Sequence, residues 1–102
     1  MKIYNMPRQS GKTILMIKMS NELQIPILTF SATTKRYIKE KAEILGIIIP
    51  EPYTLDELKC DRYIKPKEVL IDEVKHVLEK ILDTKVIAAT MTGDVESKIE
   101  EL

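Results

Sequence analysis

The chain has 102 residues, 44% of them hydrophobic and 31% charged, so a single domain over residues 1–102 with one core is expected. Its 16 basic and 16 acidic residues cancel, which excludes a strongly basic nucleic-acid-binding composition but leaves a local patch open. No apolar run nears the roughly 20 residues of a membrane span, and the N-terminal residues lack a signal-peptide pattern. Because Cys60 is also the only cysteine, a cytoplasmic location without membrane contact is expected.

Predicted strands and helices alternate along the chain. Short apolar runs predict strands at 2–6, 25–30, 68–72 and 85–89. Apolar residues at helical spacing predict helices at 11–23, 34–45 and 73–82. The irregular region 50–66 has one predicted helical turn, because Thr54 and Glu57 form a capping box. This alternation indicates a three-layer α/β domain with a mainly parallel sheet and helices on both faces.

The loop between the first strand and the first helix has the composition of a phosphate-binding loop. Residues 6–13 fit G-x-x-x-x-G-K-[ST] at every position except the first, where Met6 replaces glycine. The unpaired N–H groups and the dipole at a helix start attract anions. The predicted phosphate contacts are Arg8, Gln9, Ser10, Gly11, Lys12 and Thr13. An ordinary strand-to-helix turn is the alternative interpretation.

Within this hypothesis, the last three loop residues have distinct roles. Gly11 lets the backbone approach a phosphate, and Lys12 reaches the outer phosphates. Thr13 supplies a hydroxyl for Mg²⁺.

Two acids follow the third predicted strand. The apolar run 69–71 leads directly into Asp72 and Glu73, and this arrangement resembles the Walker B motif of P-loop ATPases. The resemblance implies that Asp72 faces the metal held by Thr13 and that Glu73 orients or deprotonates the attacking water. Alternatively, the two acids only cap the helix that follows, since acids are favoured in any first helical turn.

The two motifs together resemble the branch of P-loop NTPases that has an additional strand and a catalytic glutamate. This branch includes helicases, RecA-like proteins, AAA-type ATPases and terminase large subunits, and residues 7–13 are most similar to terminase ATPase domains. The resemblance implies about four strands in the order 1-4-3-2, ATP and Mg²⁺ as ligands, and Lys12 and Glu73 as catalytic residues. It also implies that Thr90 or Thr92 senses the γ-phosphate, although both are equally compatible with a simple turn.

The second predicted helix is basic in its first half, at Lys35, Arg36, Lys39 and Lys41. The matching region of helicases contacts a single nucleic-acid strand, but Glu40 and Glu43 on the same helix favour a solvated face. Arg36 and Arg62 are candidates for an arginine finger that enters a neighbouring subunit.

The function expected from the sequence is ATP binding with Mg²⁺-dependent ATP hydrolysis. The protein is expected to be of phage or mobile-element type and to act with a protein partner or as a homo-oligomer that completes the site. The alternative is a non-catalytic regulatory module on a P-loop scaffold, which Met6 and the absence of room for a second domain support. A GTPase is not favoured, because no N-K-x-D motif occurs.

Overall fold

The computed structural model describes residues 1–7, 11–60 and 65–90. Its elements are α1 (Lys12–Leu23), β1 (Ile27–Thr29), α2 (Ala32–Leu45), β2 (Tyr53–Thr54), α3 (Leu55–Lys59), β3 (Leu70–Ile71) and α4 (Val74–Leu82). The predictions for Arg8, Gln9, Ser10, Arg62 and Thr92 lie outside the described residues. Within the described ranges, no helix has the length and apolar content that crossing a bilayer requires.

The sheet is parallel, and β1 is its central strand. On one side Thr29 lies opposite Thr54 of β2, and on the other Ile27 lies opposite Leu70 of β3. The strand order is β2-β1-β3. The predicted α/β class is therefore confirmed, and so is the pairing of the second predicted strand with the third.

The predicted order 1-4-3-2 is not the order that the described strands form. Ile3 makes a single β bridge, and no strand extends over 2–6. Residues 85–89 form no strand either, and Ile87 is 82% exposed. A strand occurs instead at Tyr53–Thr54, in the region predicted to be irregular. Two residues are too few to show the alternation by which a strand is recognised in sequence.

The course of α4 accounts for the unpaired segment 85–89. In a right-handed β-α-β unit the helix packs back along the face of the sheet and delivers the next strand beside the first. Here Lys80 Nζ lies 2.6 Å from the Phe30 carbonyl, just after β1, and 3.6 Å from Asp56 Oδ2 in α3. Because these contacts lie beyond the ends of β1 and β2, α4 crosses the carboxyl edge of the sheet.

Local sequence signals set most helix ends. Ser31 caps α2 by accepting the Thr34 N–H at 3.1 Å, which starts the helix slightly before the predicted position. Gly46 ends α2 with φ +68, as its glycine predicts. The predicted capping box of Thr54 and Glu57 starts α3 and is confirmed.

One cluster of buried side chains joins α1, α2 and β1: Ile17, Ile27, Ile38 and Ala42, with Leu70 packed against them. Since alternate strand residues share a face, α1 and α2 cover the face that carries Ile27 and Leu70. The predicted helical layer is thus observed on this face.

We expect Ile38→Ala to lower the free energy of unfolding by about 2–4 kcal/mol, because a fully buried side chain would leave a cavity. The matched control is Ile44→Ala on the same helix, where the side chain is 79% exposed. Its effect should stay within about 0.5 kcal/mol. Urea unfolding of both variants tests whether Ile38 lies on the buried face of α2. Equal losses of unfolding free energy in the two variants would contradict this assignment.

Candidate functional site

Backbone that favours glycine precedes the first turn of α1. Gly11 precedes the helix with φ +88, a left-handed conformation that strains other residues. A Cβ built on Gly11 would meet no atom of the described residues within 4 Å, so they leave the space beside this backbone open. Because the N-cap residue is Gly11, no N-cap side chain accepts the first-turn N–H groups of α1. Thr13 lies half-buried in that turn.

An ion pair joins the two predicted motifs. Lys12 Nζ lies 2.8 Å from Glu73 Oε1, and both side chains are about one-third exposed, at 31% and 33%. Glu73 itself has φ +61 at the N-cap position of α4. A left-handed conformation at a non-glycine residue costs about 1–2 kcal/mol. The predicted phosphate-binding lysine and the predicted catalytic acid are therefore neighbours, and the acid sits on strained backbone.

Asp72 is the buried acid of the site, with only 5% of its surface exposed. Its N–H donates to the Leu28 carbonyl at 3.1 Å, which holds the residue at the end of the β1–β3 ladder. Burial, together with the neighbouring charge of Glu73, raises the pKa of Asp72 above its usual value. A nearby cation would favour the ionised form, so the position suits a metal ligand.

The His76 ring lies beside Glu73 and packs on Phe30. His76 Nδ1 lies 3.9 Å from Glu73 Oε2, and its ring packs edge-to-face on Phe30 with centroids 5.0 Å apart. His76 is exposed, and the sequence analysis did not associate it with the site. The spacing of three residues from Glu73 on a helix was the available signal. For Phe30, the position directly after a strand was the only feature of the sequence that could have linked it to the site.

Thr29 is a polar residue that the sequence analysis did not single out. It is fully buried, and its Oγ1 has no hydrogen-bond partner among the described residues. A buried polar atom without a partner costs about 1–3 kcal/mol, so the position calls for an explanation. The signal available was a threonine at the end of an apolar strand, next to the predicted ligand edge.

Thr90, one of the two predicted γ-phosphate sensors, is not connected with these residues by any described contact. Thr90 is exposed and follows the unpaired segment 85–89. None of the described contacts connects it with Lys12 or Asp72, so its role stays a prediction.

Two of the basic residues of α2 bind acids of the same chain. Lys35 Nζ lies 3.0 Å from both carboxylate oxygens of Glu57 and 3.3 Å from Glu51 Oε1. Lys39 Nζ lies 2.8 Å from the same oxygen of Glu51. These ion pairs connect α2 to the β2–α3 region, which supports the structural interpretation of this face over nucleic-acid contact.

The Lys35 network should make stability depend on pH at the acid end. The hydrogen bond from the Thr54 N–H, and then Lys35, hold the pKa of Glu57 below 4.5. A lowered carboxyl pKa stabilises the fold above 4.5, and that stabilisation is lost as pH falls through the folded-state value. We therefore expect Lys35→Met to reduce the loss of stability between about pH 5 and pH 3.

Urea unfolding across this pH range measures the effect. Lys18→Met, at an exposed position of α1, is the control. Identical pH dependence in wild type and Lys35→Met would contradict the role assigned to Lys35.

Comparison with protein-family models, with curated proteins and with solved structures finds no match to this chain. Among the described residues, no cluster of three or more His, Cys, Asp or Glu side chains is arranged to hold a metal. A divalent ion here would therefore need a hydroxyl, one carboxylate and oxygens from a ligand or water. Mg²⁺ accepts such a set, since it keeps several waters and prefers phosphate oxygens.

Proposed function

We propose that the chain binds ATP with Mg²⁺ at the carboxyl edge of the sheet. The observation that carries the proposal is the 2.8 Å contact between Lys12 and Glu73, two residues 61 positions apart that the two motifs predict to share a site. In open α/β sheets, ligands bind at this edge. The left-handed Gly11, the open space beside it and the buried Asp72 support the same location.

Each residue has a defined role in this proposal. Lys12 leaves Glu73 and binds the outer phosphates, while the first-turn N–H groups of α1 bind the inner ones. Thr13 and Asp72 hold Mg²⁺ directly or through water. The ion would offset the cost of ionising Asp72 in its buried position, where its pKa is raised by burial. Arg8, Gln9 and Ser10 would add donors at the rim of the phosphate site.

Hydrolysis would depend on Glu73. Once Lys12 is bound to phosphate, the Glu73 carboxylate is free to orient a water for in-line attack on the γ-phosphate. Thr90 or Thr92 would contact that phosphate if residues 85–89 paired with β3 in the order 1-4-3-2. The exposed apolar residue Ile87 supports such pairing, as does the edge of β3 away from β1, which bonds to no other described strand.

A second copy or a protein partner is proposed to complete the site. Four apolar residues of α4 are exposed, namely Val74, Leu78, Ile81 and Leu82. Arg36 and Arg62 remain the candidates for a group supplied to a neighbour. A cytoplasmic protein of phage or mobile-element type fits the lone Cys60 and the terminase-like loop. Nucleic acid is a weaker proposal, because Lys35 and Lys39 are paired within the chain.

A non-catalytic regulatory module is the second candidate. The observation that favours it is α4, which lies across the ligand edge through the contacts of Lys80 with Phe30 and Asp56. Retained MgATP binding without phosphate release, tested with and without DNA, would select this function over ATP hydrolysis.

We expect Lys12→Ala to weaken MgATP binding by about 10- to 100-fold, because a charge-assisted hydrogen bond contributes about 1.5–3 kcal/mol. Isothermal titration calorimetry measures the affinity. Lys18→Ala, at an exposed position on the same helix, is the matched control and should bind like wild type. Unchanged affinity in Lys12→Ala would refute the proposed site.

Glu73→Gln should stop turnover while sparing nucleotide binding. Loss of a general base lowers the rate by about 10²- to 10⁴-fold. Binding of a non-hydrolysable analogue should tighten by up to about fivefold, because Lys12 no longer has to leave a partly exposed ion pair.

A phosphate-release assay and calorimetry separate these two effects. Glu22→Gln, at an exposed position of α1, serves as the control for a lost carboxylate. Weaker analogue binding in Glu73→Gln would contradict the competition between Glu73 and phosphate for Lys12.

A further inference from the structure

We propose that Thr29 is a positioning residue of the Mg²⁺ site, whose hydroxyl donates a hydrogen bond to the Asp72 carboxylate when the metal is bound. The inference rests on the proposed function and adds a residue that neither sequence motif contains. It starts from the Thr29 Oγ1 atom, which is fully buried and lacks a hydrogen-bond partner among the described residues.

The register of the sheet sets Thr29 beside Asp72. Leu28 lies opposite Ile71, and the Asp72 N–H donates to the Leu28 carbonyl at 3.1 Å. Continuing the ladder by one residue brings Thr29 opposite Asp72, at the ~4.8 Å spacing of neighbouring strands. The hydroxyl and the carboxylate are thus on adjacent strands at the same level of the sheet.

Both side chains lie on the face that α1 covers. Ile27 and Leu70, two residues earlier on their strands, belong to the core cluster with Ile17 of α1. Because the side-chain period of a strand is two, Thr29 and Asp72 project to that same face. They lie at its carboxyl end, where α1 begins with Lys12 and Thr13.

Thr54 is the other neighbour of Thr29, and its hydroxyl already takes part in the capping box. It lies opposite Thr29 across the β1–β2 pair, and its Oγ1 accepts the Glu57 N–H at 3.1 Å in the capping box. Of the two neighbours, an ionised Asp72 is the stronger acceptor for the Thr29 hydroxyl, because charge-assisted hydrogen bonds are about twice as strong as neutral ones.

The hydrogen bond from the Thr29 hydroxyl to the Asp72 carboxylate is expected in the metal-bound state because of the chemistry of the carboxylate. An ionised carboxylate has about four acceptor sites, so it can bind a metal and still accept a hydrogen bond from a hydroxyl. A bound cation favours the ionised form of a neighbouring carboxylate, so these acceptor sites are available when the metal is present. Hydrogen bonds to a ligating carboxylate orient it, and their loss typically costs about 10- to 100-fold in metal affinity.

Thr29→Val tests the proposal, because it removes the hydroxyl and keeps the shape. In the metal-free protein we expect a higher urea midpoint, since an unpartnered buried hydroxyl is replaced by a methyl group. We also expect Mg²⁺-dependent binding of a non-hydrolysable ATP analogue to weaken by about tenfold. Binding of ADP in EDTA should be unchanged, and Thr29→Ser should restore the Mg²⁺-dependent affinity.

Two comparisons separate positioning from a purely structural role. Thr33→Val, at an exposed position of α2, should change neither the urea midpoint nor the Mg²⁺-dependent affinity. In an Asp72→Asn background, Thr29→Val should cause no further loss of Mg²⁺-dependent affinity, because the two residues act together.

Each outcome decides the question. Equal losses of nucleotide affinity with and without Mg²⁺, or a lower urea midpoint with unchanged affinity, would overturn the role of Thr29. Wild-type binding that responds to Lys12→Ala but not to Thr29→Val would overturn this inference and leave the proposed function standing. No binding of MgATP by wild type would overturn both.

Discussion

The structure depends on the burial of β1 between two parallel neighbours. All three residues of β1 are buried, and each makes a different contribution. Ile27 joins the core under α1 and α2, and the Leu28 carbonyl accepts the N–H that fixes Asp72. Thr29 ends the strand with a hydroxyl where the apolar core gives way to the carboxyl edge of the sheet. Displacing β1 would therefore disrupt the core and the candidate site together.

Charge is concentrated where the strands end. Lys12, Asp72 and Glu73 gather at one edge, with Glu73 on left-handed backbone and Asp72 buried. The left-handed backbone of Glu73 and the burial of Asp72 each cost stability, as does the Thr29 hydroxyl, which lacks a hydrogen-bond partner in the described part of the chain. Strain and buried polarity of this kind concentrate at functional sites, where a ligand can relieve them. A phosphate for Lys12 and a cation for Asp72 would do so.

Much of the local structure could be predicted because its causes lie close together in the sequence. The Thr54–Glu57 capping box, the left-handed Gly46 and the helical spacing of apolar residues depend on neighbours within a few positions. Predicting the two motifs required only that Gly11, Lys12, Asp72 and Glu73 be recognised in order. Strand β2 was not predicted, because its two residues are recognised as a strand only through their pairing with β1.

The sequence by itself determined the α/β class, the helices and the identity of the residues that meet at the sheet edge, because periodicity and capping act over short distances. Only the tertiary structure decided the order β2-β1-β3, the Lys12–Glu73 ion pair and the burial of Thr29, whose hydroxyl finds no partner among the residues that the structure describes. It also decided that α4 crosses the carboxyl edge and leaves residues 85–89 unpaired. The physical reason is that these features arise from contacts between residues far apart in the chain, and no local pattern records how such segments pack.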